Sequence, residues 1–215
     1  MIKGVNETLV SSRVVPALVT LSNDQEMSVR IATIPALGAI IENISIREVL
    51  DRVYMQLQMF FDEPSYRDQH AVHVELISTL ARCGPSAEPK FRDEFILPRL
   101  AAMASANNNM GNETKRTDIA MQLFEAYSAL SCCSLSEQLI AEAMLPGLRC
   151  LKADMEAIAA EHQEVVSAML RDYQQKLEAR SLTPGSTDDL KATVMSKIKD
   201  TTSKANIGNI FNRKK

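Results

Sequence analysis

The chain has 215 residues, 46% hydrophobic and 24% charged, with a formal net charge of −3. That is ample apolar material for a core, and it carries no general attraction for nucleic acid. Aromatic residues make up 5%, Trp is absent and Met numbers 11, a mix poorly suited to β-sandwiches and barrels and well suited to helices that pack through aliphatic side chains.

Apolar residues at helical spacing, cut at turn signals, predict four pairs of helices. In the first pair, LVSSRVVPALVTL (Leu9 to Leu21) sets Val10, Val14, Ala17, Leu18 and Leu21 near one face. It stops at Ser22-Asn23-Asp24, and a second helix follows from Val29 to Ile44. This second helix carries Pro35 and Gly38 inside an apolar run. A helix-interior proline costs about 3 kcal/mol unless the helix bends or restarts, so a kink at Pro35 is expected, with Gly38 admitting a close neighbour.

The third helix, IREVLDRVYMQLQMFF, places Val49, Leu50, Val53, Leu57 and Phe60 at three- and four-residue steps and ends at Asp62-Glu63-Pro64. Its partner runs from about Tyr66 to Arg82, closed by Cys83-Gly84-Pro85, with Gly84 expected in a left-handed stop. Phe91 to Ala106, the polar loop Asn107 to Asn112, and Lys115 to Cys133 form the third pair. Leu135 to Met155 and Ile158 to Ala179 form the fourth. Beyond residue 181 the chain turns polar. Residues 182–215 hold seven Lys or Arg against three Asp, a net of +4, which leaves −7 for the first 181.

Three first helices share a short motif: V-P-A-L at Val15 to Leu18, L-P-R-L at Leu97 to Leu100, and L-P-G-L at Leu145 to Leu148. Their spacing fits units of about 40 to 47 residues, the range of HEAT and armadillo repeats. An arginine also follows each turn acid: Arg30 after Asp24, Arg67 after Asp62 and Arg116 after Glu113. Each is expected to bridge to the turn carboxylate of its own or the neighbouring unit and order the turn. The fold class is therefore all-α, an α-solenoid of about four HEAT-like pairs over residues 1–181. It reads as the C-terminal part of a longer array, because a helix pair cannot bury its apolar sides alone and the first pair has little cap. Residues 182–215 read as a largely disordered basic tail. Within it Leu190, Val194 and Ile198 mark a short amphipathic helix able to touch an anionic membrane.

The four cysteines, Cys83, Cys132, Cys133 and Cys150, show neither a disulfide framework nor a zinc spacing, and read as reduced, cytosolic packing residues. His70 and His73 stand three apart without a third ligand at matching spacing, so they read as surface or polar-edge histidines and not as a metal site. No phosphate-binding glycine loop or nucleophile motif is present, and the acids are spread over solvated faces. No catalytic, cofactor-binding or metal residue is assigned. Met55, Met59, Met103, Met121, Met144, Met155 and Met169 sit mostly at apolar helical positions and read as core. The sequons at Asn6, Asn43 and Asn112 carry no weight in a cytosolic chain.

Six collinear blocks carry a closer likeness: VRIATIPALG, DQHAVHVELI, AEPKFRDEFILPRL, DIAMQLFEAYSALSCC, LPGLRCLKADME and FNRKK. They resemble the HEAT-repeat C-terminus of the RELCH family, the Rab-binding LisH, coiled-coil and HEAT-repeat proteins. The resemblance implies a non-catalytic scaffold that tethers recycling endosomes to the trans-Golgi network. Its implied partners are a Rab-family GTPase and an oxysterol-binding protein, and its role the distribution of cholesterol. It implies a cytosolic chain held peripherally on those membranes. Two alternatives stay open: a regulatory scaffold of the phosphatase-subunit kind, and direct binding of a sterol or other lipid between helices.

Overall fold

The computed structural model describes residues 7–181; the basic stretch 182–215 and its expected amphipathic helix lie outside the described residues. Among the described residues eight helices form four consecutive hairpins, and no strand occurs. They are α1 (7–21), α2 (Met27–Asn43), α3 (Arg47–Asp62), α4 (His70–Cys83), α5 (89–108), α6 (Glu113–Leu130), α7 (137–158) and α8 (Ala160–Ser181). Each lies within a few residues of its predicted place. The chain divides into two compact units, Met1–Gln174 and Gln175–Lys215; of the second, residues 175–181 are described, and they are helical.

Proline decides where the first helices depart from regular geometry. Pro16, Pro98 and Pro146 each stand two residues after a π-helical turn, formed by Val10–Val14, Arg92–Ile96 and Ile140–Met144 respectively. Proline has no N–H to give the carbonyl four residues back, and its ring collides with that carbonyl. Widening the preceding turn relieves both problems while the helix continues. The fourth first helix, α3, lacks the proline and is regular throughout. Pro35 is different: α2 runs through it to Asn43, and the Pro35 carbonyl accepts a 2.7 Å hydrogen bond from Arg82 of the next hairpin.

Within the first unit, α2 packs on α4 and α4 on α6, while α5 packs on α7. The buried positions of α3 (Val49, Val53, Leu57, Phe60) and of α4 (Val72, Leu76, Ile77, Leu80) follow the helical period, so each hairpin buries one stripe against its own partner and another against its neighbour. Two glycines set the approach of adjacent helices. A β-carbon at Gly38 would lie 2.5 Å from the Thr79 methyl, and one at Gly147 would lie 2.6 Å from Tyr127 Cζ and 3.3 Å from the Ala101 backbone. Between α3 and α5 an aromatic row forms the seam: Tyr54 stacks on Phe91 at 3.7 Å, Phe91 on Phe95 at 4.9 Å, and Phe61 meets Phe95 edge-on at 5.5 Å.

Two local expectations are corrected. Gly84 is right-handed, with φ −55° and ψ −45°, so it does not stop α4 by a left-handed cap. It supplies room, since a β-carbon there would sit 3.0 Å from Leu130 Cδ2. The Cys132-Cys133 pair is not helical core: α6 ends at Leu130, Cys132 is exposed in the turn that follows, and its thiol donates back to the Ala129 carbonyl. Cys83 is the fully buried thiol, its pKa pushed up to about 12 by desolvation. Gly147→Ala is expected to destabilise the chain by about 1–3 kcal/mol through overpacking against Tyr127. Gly111→Ala, where a β-carbon meets nothing within 4 Å, should stay within about 0.5 kcal/mol of the parent in the same urea titration. Equal midpoints for the two variants would refute this account of the α6–α7 contact.

Candidate interaction cleft

Turn residues of successive hairpins contribute to a concavity of the first unit. Arg30 donates to the Asp24 carbonyl at 2.7 Å and to that of Gln25 at 3.3 Å, and its guanidinium lies over the Tyr66 ring of the next hairpin at 5.6 Å. Arg30 thus grips turn backbone, not the expected carboxylate. Asp62 takes its arginine from the following hairpin: Arg99 pairs with it and lies 5.7 Å over Phe61 and 5.4 Å over Phe95. Arg67 is exposed, and Arg116 reaches forward to Asp154. Four arginine ion pairs join residues about one repeat apart, Glu42 to Arg82, Arg47 to Glu88, Asp62 to Arg99 and Arg116 to Asp154, so they act between hairpins and not within them.

Asp154 is fully buried on α7, in register with Leu151 and Met155. Its Oδ1 accepts from Arg116 Nε at 2.7 Å, and its Oδ2 accepts from Asn107 Nδ2 at 2.8 Å. Asn107 Nδ2 also donates to the Arg116 carbonyl at 3.0 Å, and Asn108 donates to the Cys150 carbonyl at 2.8 Å. A buried carboxylate is tolerated only with such charge-assisted partners. The helical pattern alone put the acids on solvated faces. The missed signal is an Asp in the apolar stripe of α7, three residues after Leu151 and next to Met155.

A cleft of about 550 Å³ opens between the second and third hairpins. Phe61, Pro64, Met103, Met110 and Ile119 give it apolar walls; Arg67, Lys115, Asp68 and Glu63 charge its rim. Ala102 and Ala106, both exposed on α5, leave its middle open. Two buried acceptor atoms on lining residues have no partner among the described residues: Asn107 Oδ1, and His70 Nδ1, whose ring is held through Nε2 by Asp118 at 3.1 Å. The apolar walls and the charged rim suit a protein segment with an apolar anchor and polar flanks.

His70 and His73 both line the cleft, and among the described residues no group of three His, Cys, Asp or Glu comes together to hold a metal. His162 lies against the Phe124 ring, 4.6 Å between centroids. The methionines divide: Met144 and Met155 are core, Met55 is 71% exposed, and Met103 is half-buried in the cleft wall. No helix among the described residues is long and apolar enough to cross a membrane.

Burial holds the His73 imidazole below its ordinary 6.5, with His70 acting in the same sense and the Tyr66 backbone and Asp68 opposing. The folded chain therefore resists a proton that the unfolded chain accepts, so this contribution to stability is complete above a pH of about 6.5 and is lost as the pH falls below it. His73→Gln is expected to flatten the loss of stability between about pH 7 and about pH 5 in denaturant titrations; an unaltered pH profile would contradict that role.

Comparison with known proteins places this architecture in a lineage. A family model described as the RAB11-binding protein RELCH C-terminal domain matches residues 1–172. The RAB11-binding protein RELCH homolog of Danio rerio is 51% identical over 226 residues, covering 100% of this chain and 19% of the relative. RELCH of Mus musculus is likewise 51% identical with 19% covered, and that of Homo sapiens 49% identical with 18% covered. The chain thus spans about a fifth of the length of these curated relatives. No solved structure matches it.

Proposed function

This chain belongs to the family of RELCH C-terminal domains, and on that footing we propose that it is a non-catalytic docking scaffold for a Rab-family GTPase. The observation that carries the reading is identity of about half across the whole chain to proteins named for binding RAB11. Those relatives are named as binding proteins and not as enzymes. Membership favours this reading over the phosphatase-subunit alternative, which rested on the generic repeat signature alone. The cleft between the second and third hairpins is the proposed seat of the protein partner, since it joins an apolar lining to a charged rim.

In this reading residues 1–181 are an α-solenoid that forms part of a longer array, and 182–215 are a basic tail. Support for the longer array comes from the first hairpin, where Leu9 is 49% and Leu21 is 42% exposed on α1, apolar surface that a preceding repeat would cover. The wider role is that of a tether between recycling endosomes and the trans-Golgi network, which engages an oxysterol-binding protein and so affects cholesterol distribution.

The test is capture of purified RAB11, loaded with a GTP analogue or with GDP, beside oxysterol-binding protein and a phosphatase catalytic subunit. Nucleotide-dependent capture of RAB11 is expected, with Ala106→Trp lowering it at least about tenfold by filling the cleft while leaving helical circular dichroism unchanged. Recovery of the phosphatase subunit alone would overturn the proposal; RAB11 capture undiminished by Ala106→Trp would move the contact away from the cleft.

A further inference from the structure

The fourth hairpin carries a feature that the Rab reading does not use. A groove of about 300 Å³ runs between α7 and α8, lined by Arg149, Lys152, Ser167, Leu170, Arg171 and Gln174. Arg149 and Lys152 stand three apart on α7, and the α8 residues recur at steps of three and four, so each helix offers one stripe to the groove. Leu170, 8% exposed, gives an apolar floor. No carboxylate lines the groove.

The cations of this groove are not neutralised as those at the seams between hairpins are. Arg47, Arg82, Arg92, Arg99 and Arg116 each lie against an Asp or Glu. Arg149, Lys152 and Arg171 have no hydrogen-bond or ion-pair partner among the described residues. Three cations around one concavity repel one another, and the arrangement gains most from a multiply charged anion placed among them. The Ser167 hydroxyl and the Gln174 amide add uncharged donors of the kind that complete a phosphate site.

We propose that this groove binds the phosphate groups of an anionic membrane lipid, which makes the fourth hairpin a membrane-contact element. The sequence C-terminal to α8 favours a bilayer source over an acidic protein segment. Residues 182–215 supply seven further Lys or Arg, and added basic residues raise avidity for a diffuse anionic surface. The groove would then give headgroup preference where the basic sequence gives general attraction.

The test uses the full chain and vesicles of phosphatidylcholine, alone, with phosphatidylserine, or with a phosphoinositide. The variant is Arg149→Gln with Lys152→Gln and Arg171→Gln, which leaves 182–215 intact. Co-sedimentation is expected to be strongest on phosphoinositide vesicles. Each basic residue near an anionic surface strengthens binding about fivefold, so the triple variant is expected to bind on the order of 100-fold more weakly at low ionic strength, and less so as salt rises. Binding of the triple variant equal to the parent would overturn the proposal and leave 182–215 as the membrane contact. Equal affinity for a soluble inositol phosphate and for vesicles would overturn the bilayer assignment, and preference for a polyglutamate peptide over vesicles would assign the groove to a protein partner.

Discussion

Asp154 has no exposure to solvent, and the way the third and fourth hairpins meet follows from the need to neutralise it. Burying a carboxylate costs several kcal/mol, which only close, well-oriented donors offset. Both donors, the Arg116 guanidinium and the Asn107 amide, come from the preceding hairpin. Any rotation of α7 relative to α5 and α6 would strand the charge, so this network fixes orientation more than it adds net stability. The same residues bracket the 109–112 turn beside the cleft, which ties the cleft wall to the same buried contact.

Other devices act in the same direction at other seams. The π-helical turns let Pro16, Pro98 and Pro146 sit inside continuous helices, Gly38 and Gly147 let helices approach, and the Tyr54–Phe91–Phe95–Phe61 row fills the gap between α3 and α5. Each contact joins a hairpin to its immediate neighbour. Stability in such stacks is close to a sum of unit and nearest-neighbour terms. A surface assembled this way is suited to presenting grooves to macromolecular partners, and the half-apolar cleft at the second seam and the basic groove of the fourth hairpin are two such surfaces of different chemical character.

Much of the fold was legible in the sequence because helical periodicity and turn residues are local signals. All eight helices were placed, and the shared V-P-A-L, L-P-R-L and L-P-G-L segments marked the three first helices that the structure shows to be perturbed. The left-handed stop expected at Gly84 failed because glycine answered a packing need at Leu130 and not a backbone one. The turn arginines were recognised but their partners were not: Arg30 found carbonyls, and Arg116 found an acid one repeat away. The cleft was not legible, since Phe61, Met103, Lys115 and Ile119 converge only when two hairpins stack. Asp154 was legible in principle, as a charge in an apolar stripe.

Amide hydrogen exchange on the full chain and on Asp154→Ala tests most directly whether hairpins are held by their neighbours. The account predicts faster exchange in α7 and in the segment from Asn107 to Lys115, with α1 and α2 as protected as in the parent. Loss of protection spread evenly over all eight helices, or none near Asn107, would contradict it.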